Sequence, residues 1–348
     1  MLGIAGASPL FSEMNPTLCN PLLGPRQDDR FTLQFEGEFM YLLPYSALTY
    51  ILTGQGESTA AGNPPINVPV NGRPYGPDWT YQSGFRVSGA SYFGNDNSYD
   101  ITARYSRFSV HGKGSFLTAD HPQLALTVRS LGGFLSEPNA TRLSIHNADI
   151  EAEFPENFAD LMGGYSIDVS KNLYFRPFAG LSAYWTDIKI EANYAFFNPT
   201  ASGPVGEEQS HTKCSSTAWG IGPICGLDGS WSLTRNLSLF GAFEFSVRYI
   251  EWKMKVIQQE VRLTAPGGTF DLVRGKIDSN IIGFSRNMLL GPQLDFWFAR
   301  NRYHLMLRAA WQWVLNDGAY HGYANATVGE SYFVNEMQGL NASASFEF

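Results

Sequence analysis

FTLQFEGEFMYLL, residues 31–43, places Phe31, Leu33, Phe35, Phe39, Tyr41 and Leu43 on one face of an extended chain and Thr32, Gln34, Glu36 and Glu38 on the other. Side chains of a strand alternate between its two sides, so this period of two defines a strand with one apolar and one polar face. The pattern returns at Trp79, Tyr81, Phe85, Val87; at Trp219, Ile221, Pro223, Cys225, Leu227, Trp231, Leu233; and at Leu237, Leu239, Phe243, Phe245, Val247, Tyr249. It appears again at Met288, Leu290, Leu294, Phe296, Phe298 and at Tyr303, Leu305, Leu307, Ala309, Trp311, Trp313, Leu315. Six strands of one kind imply a sheet too large to lie open. The composition agrees: of 348 residues 16% are charged and 14% aromatic, with 35 glycines, which suits strands and turns better than helix interiors. No run of about 18 apolar residues is present to make a membrane helix.

The connections fall into two classes. Gly94-Asn95-Asp96-Asn97, Ser170-Lys171-Asn172, Thr234-Arg235-Asn236 and Ala299-Arg300-Asn301 are tight turns, in which Gly or Asn takes the left-handed conformation. Long connections lie near 45–77, 110–157, 197–212, 261–276 and 317–334. Short and long alternate, as in a barrel whose two rims face different compartments. Strands near 31–43, 78–93, 98–109, 158–169, 173–196, 213–233, 237–260, 277–298, 302–316 and 335–348 give ten, an even number. If Arg142–Phe154 and Gln123–Val128 both enter the wall, the count becomes twelve. The expected organisation is a Pro-rich N-terminal segment, 1–30, followed by one antiparallel barrel, 31–348. Residues 1–10 are mildly apolar but lack the basic region of a secretory signal.

The polar face decides which solvent lies where. It carries Glu36, Glu38, Arg86, Arg104, Arg176, Asp228, Glu244, Arg248, Asp295, Arg308 and Glu347. Eleven ionised groups cannot pack in a dry core without severe desolvation cost, whereas in a wet lumen acids and bases pair across the space. The apolar face then meets lipid, and Trp79, Tyr81, Trp231, Phe298, Tyr303, Tyr41 and Trp313, near strand ends, suit interfacial girdles. Two strands change phase: the apolar set moves to Ile188, Ile190, Ala192 after Trp185, and to Ile250, Trp252, Met254 after Tyr249. Bulges at these points would flip the faces below the outer rim. The last strand sets Leu340, Ala342, Ala344, Phe346 and Phe348 against Asn341, Ser343, Ser345 and Glu347. A terminal aromatic closing such a strand resembles the signal read by the outer-membrane assembly machinery, with Phe346 and Phe348 as its residues.

Five segments together resemble the Legionella-type major outer membrane protein family of pore-forming proteins, which has relatives in chlamydia-like bacteria. They are WTYQSGFRVSGASY (79–92), YDITARY (99–105), DLMGGYSIDVSKNLYFRPFAGLSAYW (160–185), WGIGPICGLDGSWSLTRNLSLFG (219–241) and GLNASASFEF (339–348). The runs Arg176–Leu181 and Trp219–Pro223 are the most specific. The resemblance implies a Gram-negative outer-membrane location and a porin-like role. The family's frequent cysteine enrichment is thin here, with only Cys19, Cys214 and Cys225.

The expected function is passive diffusion of small hydrophilic solutes or ions through a narrow charged lumen. The alternative is a closed structural or adhesive barrel that acts through its loops. Lumen-lining candidates are Glu36, Glu38, Arg86, Arg104, Arg176, Asp228, Glu244, Arg248, Asp295 and Arg308, forming either a transverse field or a salt-bridge plug. Ala218, Gly220, Gly222, Ile224, Gly226, Asp228, Ser230 and Ser232 form a mostly small inner face, which widens the lumen or admits a loop. Segment 45–77, with Pro64, Pro65, Pro69, Pro74 and Pro77, reads as a stiff flap, and 110–157 as an acidic loop. No Gly-x-Ser-x-Gly, Walker or dinucleotide motif occurs, and His111, His121, His146, His211, His304 and His321 lack metal-type spacing, so no catalysis, metal or cofactor is expected. Expected partners are outer-membrane lipid, the assembly machinery, small solutes or ions and a second copy of the chain. With 24 basic against 32 acidic side chains, nucleic acid is not among them.

Overall fold

The structure, a computed structural model, describes residues 31–46, 51–54, 73–75, 77–94, 98–117, 124–127, 144–197, 207–262, 268–298, 303–323 and 330–348. Cys19, the 1–30 segment and most of the Pro-rich 45–77 flap lie outside the described residues. Ten long strands form the wall: β1 (Phe31–Ser46), β2 (Gln82–Phe93), β3 (Tyr99–Leu117), β4 (Ser144–Tyr165), β5 (Leu173–Phe197), β6 (Glu207–Ser232), β7 (Leu237–Arg262), β8 (Gly268–Phe298), β9 (Tyr303–Tyr323) and β10 (Glu330–Glu347). Each pairs antiparallel with the next, and β10 returns to β1. Leu33 and Phe348 exchange both backbone hydrogen bonds at 3.0 Å, so closure runs to the last residue and the wall keeps no edge.

The choice between ten and twelve resolves at ten. Residues from Ser144 onward are the outer part of β4 rather than a separate strand, and Leu124–Thr127 leaves the wall to pair with Ile51–Gly54, which also pairs with Arg73–Tyr75. Much of the expected 110–157 loop is therefore strand. Among the tight turns, Gly94 adopts φ +89°, a conformation in which any Cβ is strained.

The outward face marks the membrane. A lower ring of Phe93, Tyr99, Tyr165, Trp231, Phe298 and Tyr303 and an upper ring of Tyr41, Tyr81, Trp185, Trp219 and Tyr249 are exposed, with Phe, Leu, Ile and Val between them. Leu173 pairs with Trp231 and Trp185 with Trp219, twelve residues apart along β5. At about 3.3 Å per residue and a tilt near 40° that is roughly 30 Å of height, close to the apolar band of an outer-membrane barrel. The strands are longer than this crossing needs: β8 alone has 31 residues. Their outer parts project beyond the membrane.

There the faces exchange character, but the bulges expected after Trp185 and Tyr249 are absent. β5 keeps one register with β6 from Leu173 to Phe197, and β7 keeps one with β8 to Gln258. Ile188, Ile190, Ala192, Ile250, Trp252 and Met254 stay on the inner side and are buried, while Asp187, Lys189, Lys253 and Lys255 face outward. The backbone alternates unchanged and the solvent changes: above the membrane the outside is water, so apolar side chains belong inside.

Two further expectations are corrected. Trp79 does not join the girdle; Asp78–Trp79 pairs with Gly112–Lys113 at the outer end of β3, and its indole packs against the apolar core, 6.0 Å from the Phe154 ring. The small inner face of β6 neither widens the lumen nor takes in a loop among the described residues. A Cβ on Gly226 would meet the Phe178 ring at 2.3 Å and one on Gly220 would meet Ile250 at 2.8 Å, so neighbouring strands fill that space.

Candidate functional site: the barrel lumen

The lumen has two parts. In the outer part a contiguous apolar cluster, including Leu42, Phe116, Ile188, Ile190 and Trp252, fills the interior. The expectation of a wet, polar lumen along the whole wall therefore fails in this half. Below it, all ten lumen candidates lie on the inner side of the wall, because each sits at the inward parity of its strand, and an ionic network occupies the interior.

Neighbouring strands make the simpler pairs. Arg86 donates to Glu38 and to Ser106, both at 3.0 Å, and Glu38 also accepts from Asn341 at 2.9 Å. Arg308 donates to Glu36 at 3.1 Å and to Gln293 at 2.9 Å. Nearer the periplasmic rim Arg176 bridges two acids, reaching both oxygens of Asp100 at 2.7 and 2.6 Å and Asp228 at 2.7 Å. Asp295 accepts from Gln293 at 2.9 Å and lies 3.0 Å from His304 Nε2, whose other ring nitrogen lies 3.0 Å from Glu347. His304 thus points inward between two acids, stacked 3.9 Å from the Trp297 ring, and away from the lipid-facing rim.

Other links cross the barrel. Arg104, on β3, donates from Nε to Asp160 at 2.9 Å and from both terminal nitrogens to Glu244 on β7, the second at 3.1 Å. Four steps of the ten-strand ring separate β3 from β7, so this bidentate contact is a crossbar over the lumen. Asn287 supports it, donating to Glu244 at 3.0 Å. Asn316 on β9 donates to Glu156 on β4 at 2.9 Å, joining strands on opposite sides of the wall. Of the two arrangements open to the sequence, the charges pair off rather than line up as opposed rows. Arg248 is the exception: its Nε donates to Ser182 at 3.1 Å, its guanidinium carbon stands 4.8 Å over the Phe158 ring, and no carboxylate forms an ion pair with it among the described residues.

Two chambers flank the crossbar, and Arg86, Arg104 and Glu244 line both. The inner one, about 130 Å³, continues toward Gln34, Tyr92 and Tyr174 near the periplasmic rim. The outer one, about 60 Å³, is lined by Arg248, Asp160, Ser246 and Asn287 and ends against Leu42, Phe108 and Met337 of the apolar layer. Asp100, Asp160, Gln293 and Asn287 were not among the sequence candidates, yet each hydrogen-bonds one, and Glu156 is a further missed acid, held by Asn316. Asp100 was within reach, since Asp100, Thr102 and Arg104 share one face of β3; nothing in the sequence brings Asn316 to Glu156 across the barrel.

Phe346 and Phe348 face outward, 6.0 Å apart between ring centres, with Phe348 also 6.0 Å from Phe35. Cys214 is buried inside and Cys225 exposed outside, on opposite faces of β6, so they do not bridge each other.

The sequence profile described as Legionella pneumophila major outer membrane protein precursor matches residues 25–321. No curated protein matches the chain. Among solved structures it is similar to the outer membrane protease OmpT from Escherichia coli, at 13% identity and a TM-score of 0.40 over 93% of this chain and 99% of that one. It is also similar to a major outer membrane protein from Thermus thermophilus, at 10% identity and a TM-score of 0.31 over 92% and 100% of the two chains. A Pseudomonas aeruginosa FadL homologue stands at 9% identity and a TM-score of 0.32 over 92% and 90%. At these scores the likenesses carry nothing about this chain's chemistry.

Proposed function

The chain belongs to the family of the Legionella pneumophila major outer membrane protein precursor and sits in the outer membrane of a Gram-negative bacterium, and from this we propose that it is a narrow, gated passage for passive diffusion of small hydrophilic solutes or ions. One observation carries the reading: two chambers stacked on either side of the Arg104–Glu244 crossbar, each lined by charged groups. A barrel serving rigidity alone gains nothing from ionised groups around open space, since every desolvated charge costs several kcal/mol. Passage requires the crossbar to part and the apolar layer above it to admit water; a hydrophobic constriction of this kind gates by dewetting. The outward Phe346 and Phe348 are consistent with the C-terminal strand as the segment that the assembly machinery reads.

Planar-bilayer conductance of the purified chain tests the proposal. Glu244→Gln, which removes the crossbar's charge, should raise open probability, and neutralising Arg86 and Arg104 should shift ion preference toward cations by leaving Glu38 and Asp160 uncompensated. Absence of channels above background in the native chain, in Glu244→Gln and in a chain lacking 45–77 would sink it. The second reading, a closed barrel that presents its outer surface, is favoured by the packed apolar cluster in the outer half; it expects that silence.

A further inference from the structure

Arg107 stands on the outward face of the wall among side chains that meet lipid. The alternation that sends Arg104 and Ser106 of β3 into the lumen turns Arg107 outward, and its side chain is exposed. Its cross-strand row runs from Phe85 on β2 through Arg107 to Asn157 on β4 and Trp185 on β5, the last a member of the upper aromatic ring. The guanidinium therefore lies where the hydrocarbon gives way to headgroups. A cation on a lipid-facing wall is tolerated there only if water or an anion reaches it. Lys113, Lys213 and Lys253, higher on the same outer surface, each have a carboxylate in Glu151, Glu191 and Glu251. Arg107 has no ion pair or hydrogen bond among the described residues, and its register partners are an aromatic ring and an amide.

The surroundings of Arg107 are held in place. Asn157 accepts from the Tyr105 hydroxyl at 3.0 Å and donates to the Trp185 carbonyl at 3.3 Å. The Tyr105 and Trp185 rings stack with their centres 6.0 Å apart, and the Phe85 ring meets Tyr105 edge-on at 5.9 Å. Two residues nearer the outer rim, Ser109 on β3 and Ser83 on β2 share the outward face with Arg107. A guanidinium beside two hydroxyls suits the several acceptor oxygens of a phosphate. A free anion would have to leave water for this aromatic, lipid-facing frame, whereas a lipid brings its phosphate to this height with its acyl chains beside Phe85 and Tyr105. We infer that Arg107, with Ser83 and Ser109, binds the phosphate headgroup of an outer-leaflet lipid. The site lies outside the lumen and is independent of whether the lumen conducts.

Native mass spectrometry of the full chain in detergent micelles, titrated with diphosphorylated lipid A, provides the test. Lipid A is expected to stay bound, and a diacylglycerol, which lacks phosphate, is not. Arg107→Gln should weaken lipid A binding by roughly tenfold or more, the loss of one charge-assisted contact. Arg286→Gln should leave it unchanged: Arg286 also faces outward, on β8, but its row holds Phe245 and Leu315 and no polar partner for an anion. Ser109→Asp, which sets a carboxylate beside an intact Arg107, should repeat the loss, and this keeps the test valid if Arg107→Gln fails to fold, as judged by heat-modifiable gel mobility. Inorganic phosphate in excess should not compete. Failure to retain lipid A, equal retention of the diacylglycerol, an equal loss in Arg286→Gln, or an affinity unchanged in a folded Arg107→Gln or in Ser109→Asp overturns the site. Competition by inorganic phosphate overturns the lipid as its occupant.

Discussion

Leu181 and Lys189 occupy the same outward face of β5, eight residues apart, and are both exposed, yet one meets lipid and the other water. Directly behind this face the interior changes in the opposite sense: Arg176 and Ser182 give way to Ile188, Ile190 and Ala192. The lower part of the barrel is apolar outside and ionic inside; the outer part is charged outside and apolar inside. Alternation alone thus gives two faces, and the medium on each side decides which of them packs.

That contrast can be broken at several points. The largest effect belongs to the outer core: Trp252→Ala removes a side chain only 1% exposed and should cost about 3–5 kcal/mol, through lost burial and the cavity left behind. Urea unfolding in lipid vesicles measures it, and a cost under about 1 kcal/mol would mean that the outer half is not a packed core. Next comes Leu181→Lys, expected to cost roughly 2–4 kcal/mol if residue 181 lies near the bilayer midplane. Its counterpart Lys189→Leu should stay within about 0.5 kcal/mol, as an exposed site away from special features. Equal effects at the two positions would put the membrane boundary at the wrong height.

The smallest effect concerns the outer surface. Lys213 forms an ion pair with Glu191 outside the membrane and holds its carboxyl below the usual carboxylate range, chiefly through their hydrogen bond. A carboxyl depressed on folding contributes stability above its unfolded pKa and loses it as pH falls through the folded value. Both groups are largely exposed, so screening leaves little of this in stability. Lys213→Ala should therefore raise the Glu191 titration midpoint, read by NMR, with almost no change in unfolding; an unmoved midpoint would remove the pair.

The strand count could be narrowed to ten or twelve because turn chemistry punctuates the chain: Gly94 does sit at positive φ, and Lys171 and Arg235 do lie in short turns; whether 123–128 and 142–154 join the wall depends on pairing partners that only the closed sheet supplies. The inward parity of all ten lumen candidates was readable for the same reason, since the period of two is a local property of extended backbone. The shift after Trp185 was visible as well, but its cause was not. A change of face and a change of solvent leave the same mark in a string of residues, and only the unbroken β5–β6 register separates them.

What the sequence determined by itself was therefore local: the amphipathic strands, which residues of each share a face, and a last strand that alternates up to Phe348. The tertiary structure alone decided what depends on barrel curvature and on distance across the lumen. It set Arg104 against Glu244, at 140 positions' separation, and Asn316 against Glu156, at 160, seated Arg248 on Ser182 and over the Phe158 ring, and turned Trp79 onto the core. Side-chain direction follows from neighbouring residues in the chain, whereas ion-pair partners follow from which strands face each other once the sheet closes.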